Sequence, residues 1–365
     1  MEITICTISK KQLSGLLNYD KKCSHLHMTR QESQVIKGIA LLMMLWLHLF
    51  SNAELASHCQ NLFVIDNIPL ATMLTRACPP VGFFVFCGGY GLYYTYRKGN
   101  DPNYFVRIVK LFVTYWFILL VLIPLCIWLS DAKFPMDIKS IGMNVSGLHC
   151  SWNAPCWFLL PYSLLSLSYP ALFKLYENVR VRFLLPATLL LSIAMMALLH
   201  FWGTSYINDN PILSLPICYL GFLFMFFCGS SFLRCDILTK IRHCTKPMGR
   251  ICSLVQVTFF LLLVGVVIWM NTAVADPLYT LGIIICALAV PLNPKGLITR
   301  FFENVGRQSM NMWMLHYFIY VYLLHDFIYG LKYPLVIFVA LLSISYIGSM
   351  LINKLLSPVL KVIRF

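Results

Sequence analysis

Long apolar runs separated by short polar segments recur along the whole chain. An α-helix needs about 17 to 25 apolar residues to cross the hydrocarbon layer of a membrane, and most of these runs reach that length. We predict about ten transmembrane helices, at residues 35–51, 77–96, 108–129, 156–173, 183–202, 211–232, 251–270, 277–292, 309–327 and 333–356. The second and eighth runs fit a transmembrane helix least well. Prolines and glycines interrupt the second run, and the eighth run is short.

The composition agrees with this pattern. Of the 365 residues, 59% are hydrophobic and only 12% are charged. Apolar stretches of this length and number are typical of membrane proteins and exceed what a soluble core buries. The expected fold class is therefore an all-α integral membrane protein.

The positive charge predicts an orientation. Cytoplasmic loops of membrane proteins collect Lys and Arg. With ten spans and the N-terminus inside, 24 of the 28 basic residues fall in cytoplasmic segments. We therefore predict that both termini are cytoplasmic, and we attribute the net charge of +14 to topology and not to nucleic-acid binding.

Two regions follow from the distribution of polar residues. Residues 1–30 are polar and basic. They lack the charged region, apolar region and small residues that follow one another in a signal peptide, so we predict a cytosolic N-terminal segment. Residues 31–365 are predicted to form one polytopic membrane domain.

The cysteines suggest little chemistry. Most of the 14 fall inside predicted spans, where a buried cysteine acts as a small hydrophobic residue. Cys150 and Cys156 flank a proline-containing turn on the predicted outer side, so a disulfide between them is left open. No Cys/His spacing resembles a zinc site, and we expect no metal.

The first span contains two ionisable residues, Lys37 and His48. At about 100° per residue their separation corresponds to about three turns plus 20°, with a rise of about 16 Å, so both side chains share one helix face. Ionisable groups within a membrane are costly and usually face a cavity or a partner. A snorkelling lysine at the inner end of the helix is the alternative for Lys37.

Three later stretches are candidates with structural alternatives. The glycine cluster in "FVFCGGYGL" (84–92) permits either close helix packing or an opening for a ligand. Trp157 suits an interfacial aromatic belt. His316 lies inside the ninth span, where a structural hydrogen bond is as plausible as a function. The outer-side residues His58, His149, His200 and His325 are expected to be interfacial.

Together these stretches resemble the membrane acyltransferase type 3 family, bacterial O-acyltransferases of extracytoplasmic glycans. Four motifs support the resemblance, in the family's order: Lys37, "GIALLMMLWL" and His48; "FVFCGGYGL" (84–92); "WFL" beginning at Trp157; and Gly306, Ser309 and "WMLH" ending at His316. Two positions depart from the family pattern. Lys37 stands where arginine is usual, and Gly88 where serine is common.

The resemblance implies a membrane-bound O-acyltransferase in the bacterial inner membrane. It implies acetyl-CoA or another acyl-CoA as the donor, a glycan or lipid-linked sugar as the acceptor, and surrounding lipid. His48 is the expected general base, because histidine titrates near neutrality, and His316 is a second candidate catalytic residue. Lys37, Ser309 and Trp157 are assigned to donor binding.

A transporter is the alternative of another class. Its polar residues line a route through the membrane, and ion-coupled carriers depend on intramembrane acids. No predicted span has an Asp or Glu well inside it, which favours the acyltransferase.

Overall fold

The computed structural model of the protein describes residues 27–52, 59–99, 104–202, 210–246, 249–290 and 292–363. In these ranges the regular structure is almost entirely helical. The α-helices are α1 Arg30–Phe50, α2 Leu70–Thr75, α3 Val81–Arg97, α4 Tyr104–Ser130, α5 Ile138–Ser146, α6 Leu159–Leu167, α7 Tyr169–Asn178, α8 Val181–Trp202, α9 Pro211–Arg234, α10 Ile237–Thr245, α11 Gly249–Met270, α12 Asp276–Ala289, α13 Leu297–Tyr317, α14 His325–Gly330 and α15 Pro334–Val362.

The remaining elements are short. They are 3₁₀ helices at Ala154–Phe158 and Ala273–Ala275, a π-helix at Phe318–Leu323, and the antiparallel strands β1 Val64–Ile65 and β2 Ile68–Pro69. Asp66 and Asn67 join the two strands with positive φ, which these residue types tolerate in tight hairpin turns. The predicted N-terminal segment lies outside the described residues except for 27–30.

Six helices of the described chain are long and apolar enough to cross a membrane. They are α1, α4, α8, α9, the Ser253–Met270 part of α11, and α15. The segments Ala154–Leu167 and Tyr169–Asn178 add a seventh span if they are counted together, although the chain bends by 57° between them. The helices thus agree with an all-α membrane protein, whereas the count of ten and the cytoplasmic termini stay predictions.

Each of the ten predicted runs overlaps a helix of the described chain, and two runs differ most from the observed elements. The run at 156–173 is interrupted at Ser168, between α6 and α7. The run at 309–327 covers the end of a helix that begins much earlier, at Leu297, and continues through the π-helix into α14. Hydropathy misses that beginning because the first half of α13 carries Arg300, Glu303 and Arg307.

The N-terminus of α1 is fixed by a capping box. The Thr29 hydroxyl accepts a hydrogen bond from the Glu32 amide at 3.1 Å, and the Glu32 carboxylate accepts one from the Thr29 amide at 2.8 Å. Such a box satisfies helix N–H groups that otherwise lack partners. Glu32 is buried and also forms an ion pair with Arg242 of α10, which joins the start of α1 to that helix.

Helices α1 and α13 approach each other through two glycines. A Cβ atom at Gly38 would lie 2.2 Å from the Phe302 carbonyl oxygen, and one at Gly306 would lie 1.8 Å from that of Gln34. Any larger residue at either position would push the helices apart. Small residues permit this kind of close backbone contact in membranes.

A second pair, α3 and α9, uses the same device. A Cβ atom at Gly89 would lie 2.0 Å from the Phe226 carbonyl oxygen, and one at Gly229 would lie 2.1 Å from that of Phe86. The central glycine of the 84–92 stretch therefore serves helix packing, which was the structural alternative for that stretch.

The two cysteines that the sequence predicts on the outer side are not joined. Cys150 and Cys156 are both free and buried. The Tyr115 hydroxyl donates to the Cys150 sulfur at 3.7 Å. The disulfide that the sequence left open is therefore absent from this structure.

Candidate active site

A cavity of about 250 Å³ lies among α1, α3, α4, α13 and the 3₁₀ helix that precedes α6. Four of the predicted site residues line it, namely Lys37, His48, Trp157 and Ser309. The shared face of Lys37 and His48, predicted from helical periodicity, thus faces one internal space.

The cavity lies where two hydrophobic cores meet. One core is built around α1, α4, α13 and α15, and the other around α3, α7, α9 and α12. Tyr162 and Trp313 pack against both cores and also line the cavity. Sequence reasoning did not single out either residue, although Trp313 belongs to the "WMLH" motif that ends at His316.

Lys37 is half-buried on the wall of this cavity. Among the residues that the structure describes, no carboxylate forms an ion pair with it. A charge held away from bulk water normally requires a partner. The ammonium group is therefore suited to an anionic ligand that enters the cavity.

His48 and His316 are in direct contact. The His48 Nδ1 and His316 Nε2 atoms are 2.7 Å apart, and the two rings are nearly parallel, with an interplanar angle of 9°. His48 lines the cavity, whereas His316 is fully buried behind it. The sequence predicted both residues but not their contact.

The partners of His316 define which nitrogen of each ring carries hydrogen. His316 Nδ1 lies 2.8 Å from the Trp313 carbonyl oxygen and 3.2 Å from that of Met312. Because carbonyls only accept hydrogen bonds, His316 Nδ1 is the donor and its Nε2 is an acceptor in the neutral ring. His48 then donates from Nδ1, and its own Nε2 has a free lone pair.

Within the described part of the chain, no protein donor is bonded to that lone pair. Among the described residues, the hydrogen bond to His316 is the one that His48 forms through its ring. The arrangement leaves His48 Nε2 as an acceptor nitrogen on a partly buried side chain that lines the cavity.

Two hydrogen bonds fix the segment that carries Trp157. The Asn153 side-chain amide donates to the Met314 carbonyl oxygen at 2.6 Å, and the Trp313 indole donates to that of Pro155 at 2.9 Å. Both bonds attach the 3₁₀ helix to α13, close to His316. Trp157 itself is 44% exposed, so it presents a free aromatic surface in addition to any interfacial role.

Ser309 and Gly88, which the sequence singled out, both lie near the cavity. Ser309 lies on α13 two turns before His316 and is buried at the cavity wall. Gly88 faces Tyr162, and a Cβ atom there would lie 3.3 Å from that ring. Within the described ranges, no group of three or more His, Cys, Asp or Glu side chains is placed to hold a metal ion.

The fold and the site together define a helical membrane protein in which one cavity is lined by His48, backed by His316, and by Lys37, which forms no ion pair within the described residues. Residues 31–354 match the family described as an acyltransferase domain, and the chain belongs to this acyltransferase type 3 family. No curated protein and no solved structure matches the chain.

Proposed function

We propose that the protein is a membrane-bound O-acyltransferase that moves an acyl group, typically acetyl, from acyl-CoA to a hydroxyl group of an extracytoplasmic or lipid-linked glycan. The observation that carries the proposal is the position of His48. Its side chain lines a cavity that Lys37 also lines, and His316 contacts its ring through Nδ1. The family membership supports the acyl-transfer chemistry.

His48 acts as the general base. Its Nε2 takes the proton of the acceptor hydroxyl while the hydroxyl oxygen attacks the thioester carbonyl carbon. The C–S bond of the tetrahedral intermediate then breaks, and the protonated His48 returns the proton to the leaving thiolate. An ester and free CoA are the products, so the histidine ends the cycle neutral.

His316 acts as a positioning residue. It is fully buried and does not line the cavity, which supports assistance to His48 instead of contact with the acyl carbonyl. Its Nε2 accepts the hydrogen of His48 Nδ1, which keeps His48 in the tautomer that is basic at Nε2. A histidine oriented by a second group through its other nitrogen is a common device in active sites.

Lys37 binds the donor. Its charge has no carboxylate partner in the described part of the chain, and the phosphates of CoA are anionic. Lys37 and His48 are about 16 Å apart along α1, a distance that the pantetheine arm bridges. Ser309 and Trp157 line the space between them and complete the donor site.

The proposed location is the bacterial inner membrane, with acyl-CoA supplied from the cytoplasm and the acceptor on the outside. Neither a metal ion nor nucleic acid takes part in the proposal. Lipid surrounds the exposed apolar helices.

Replacement of His48 tests the function. Loss of a general base costs about 10²- to 10⁴-fold in rate, so His48→Ala and His48→Gln should both leave the surface glycan almost unmodified. The measurement is glycan acylation by mass spectrometry in a deletion strain that carries each variant, normalised to membrane-inserted protein. His200→Ala, at an exposed position in the last turn of α8, is the matched control. Near wild-type acylation by His48→Gln would contradict the proposed base.

A further inference from the structure

We propose that a second cavity, on the other side of His48, binds the acceptor as a neutral saccharide. This inference rests on the proposed function. The cavity has a volume of about 600 Å³, which is within the range of about 300 to 1,000 Å³ that small-molecule sites occupy. Its lining residues include His48, so the acceptor hydroxyl reaches the same imidazole as the donor.

The second cavity lies at the end of the helical bundle that is remote from Lys37. It is lined by Leu199 in the last turn of α8, Ser214 in the first turn of α9, and Tyr317 at the end of α13. The loop between α5 and the 3₁₀ helix closes it with His149 and Ser151. Under the predicted orientation, this end of the bundle faces the outside of the cell.

The two cavities are lined by different residues, except for three that line both. His48, Pro155 and Trp157 line both of them. Lys37 and Ser309 line only the first cavity, and His149 and Ser214 line only the second. This division gives the donor and the acceptor separate approaches that converge at His48.

The chemistry of the lining selects a neutral polyhydroxyl ligand. None of the described residues on its wall is Asp, Glu, Lys or Arg, so a charged ligand finds no ion-pair partner there. Hydrogen-bonding side chains come from separate elements, with His149 and Ser151 in the loop, Ser214 on α9 and Tyr317 on α13. The exposed Trp157 adds an aromatic face that covers apolar C–H surface of a sugar ring.

Hydrogen bonds from α5 fix the loop that contains His149 and Ser151. The buried Asn144 side chain accepts a hydrogen bond from the Trp152 amide at 2.9 Å and donates one to the Ser151 hydroxyl at 2.9 Å. Asn144 also donates to the Ser140 carbonyl oxygen within α5. The loop is therefore preorganised, which lowers the cost of binding.

A steric block on α9 tests the proposal, with a matched variant two residues away. Ser214→Trp should fill the second cavity and abolish most of the glycan acylation. Ile212→Trp places the same side chain at a position that is 89% exposed and should acylate like the wild type. Binding of acetyl-CoA, measured on the same membranes, should be equal in all three proteins because Lys37 lines the other cavity.

A milder variant covers the case in which Ser214→Trp fails to insert. His149→Ala should raise the KM for glycan extracted from the deletion strain by about 2- to 10-fold, which corresponds to the loss of one hydrogen bond. The KM for acetyl-CoA should be unchanged.

The outcomes separate the two proposals. Wild-type protein that neither binds acetyl-CoA nor acylates the glycan would reject the proposed function itself. If the wild type is active, wild-type acylation by Ser214→Trp would overturn the acceptor site. Loss of acetyl-CoA binding in inserted Ser214→Trp would overturn it too, since the cavities would then not be separate.

Discussion

The helix pairs α1–α13 and α3–α9 have the same kind of glycine contact but different roles. In each pair, one glycine of each helix approaches a carbonyl oxygen of the other helix at a distance that leaves no room for a Cβ atom. Beyond this contact the pairs diverge. The α1–α13 interface leads to the histidine pair, whereas the α3–α9 interface lies beside an aromatic cluster.

The geometry of the first pair explains how the histidines meet. Gly38 faces Gly306, and His48 and His316 each follow their glycine by ten residues, about 15 Å along a helix. The two helices therefore run in the same direction, the relation that a ten-span layout requires of its first and ninth spans. The close contact at one end holds the two rings in register at the other.

In the second pair the same closeness serves packing. Phe226 of α9 stacks on Phe173 with ring centroids 5.4 Å apart, and Phe227 stacks on Tyr176 at 5.3 Å. The comparison teaches that a glycine contact alone does not mark a functional site. The function resides in the polar residues that the contact brings together.

Replacement of a glycine in the α1–α13 pair by alanine gives the largest expected effect on acylation. Gly306→Ala forces α13 away from α1, and a misplacement of about 1 Å can cost about 100-fold in rate. Acylation per inserted protein should therefore fall more than about 100-fold.

Gly89→Ala is the matched variant in the other pair. It should lower the amount of inserted protein and reduce the acylation per molecule less than Gly306→Ala does, because α3 lines the donor cavity with Val81 and Phe84 but does not carry the histidine pair. Equal losses of acylation per molecule in both variants would break the distinction between the two pairs.

Lys37→Ala should give the next largest effect. A lost charge-assisted contact is worth about 1.5 to 3 kcal/mol, or roughly 10- to 150-fold, and the loss should appear as a higher KM for acyl-CoA. Lys37→Arg keeps the charge and should retain activity. An unchanged KM for acyl-CoA in the alanine variant would return Lys37 to the role of an interfacial anchor.

His316→Ala should lower kcat by roughly 10- to 100-fold, by analogy with the loss of a group that orients a metal-binding histidine. His316→Gln places an amide oxygen near the position of Nε2 and should recover part of the rate, since it still accepts from His48 Nδ1. The measurement is kcat in membranes with saturating acetyl-CoA. Equal rates for the alanine and glutamine variants would contradict the positioning role.

Periodicity was sufficient for part of this site. The spacing of Lys37 and His48 predicted a shared face, and the structure places both on one cavity. The contact between His48 and His316 was not predictable, because helical phase defines a face but not which distant helix packs against it. That choice depends on the Gly38–Gly306 contact.

The positions of other candidate residues were not predictable from the sequence, because they depend on tertiary contacts. His149 was expected to be interfacial, and its place on the second cavity was not predictable because periodicity does not position the loop between α5 and the 3₁₀ helix. His58, which had the same expectation, lies outside the described residues. Trp157 satisfies the pattern of an aromatic belt, and its place on both cavities depends on the Asn153 and Trp313 hydrogen bonds.

The smallest expected effects come from one buried serine in each pair. Ser309 lines the donor cavity, so Ser309→Ala should raise the KM for acyl-CoA by about 2- to 10-fold, as the loss of one hydrogen bond predicts. Ser230 of α9 instead donates to the carbonyl oxygens of Phe226 at 3.0 Å and Gly89 at 3.2 Å.

Ser230→Ala should therefore leave the KM for acyl-CoA and the rate per inserted molecule unchanged. Hydrogen bonds between helices contribute on average about 0.6 kcal/mol in membranes, so the variant should lose only a little thermal stability in detergent. The two serines are both fully or nearly fully buried, so burial alone predicts the same outcome for both. A KM effect from Ser230→Ala as large as that from Ser309→Ala would show that the α3–α9 contact shapes the donor site as strongly as the serine on its wall.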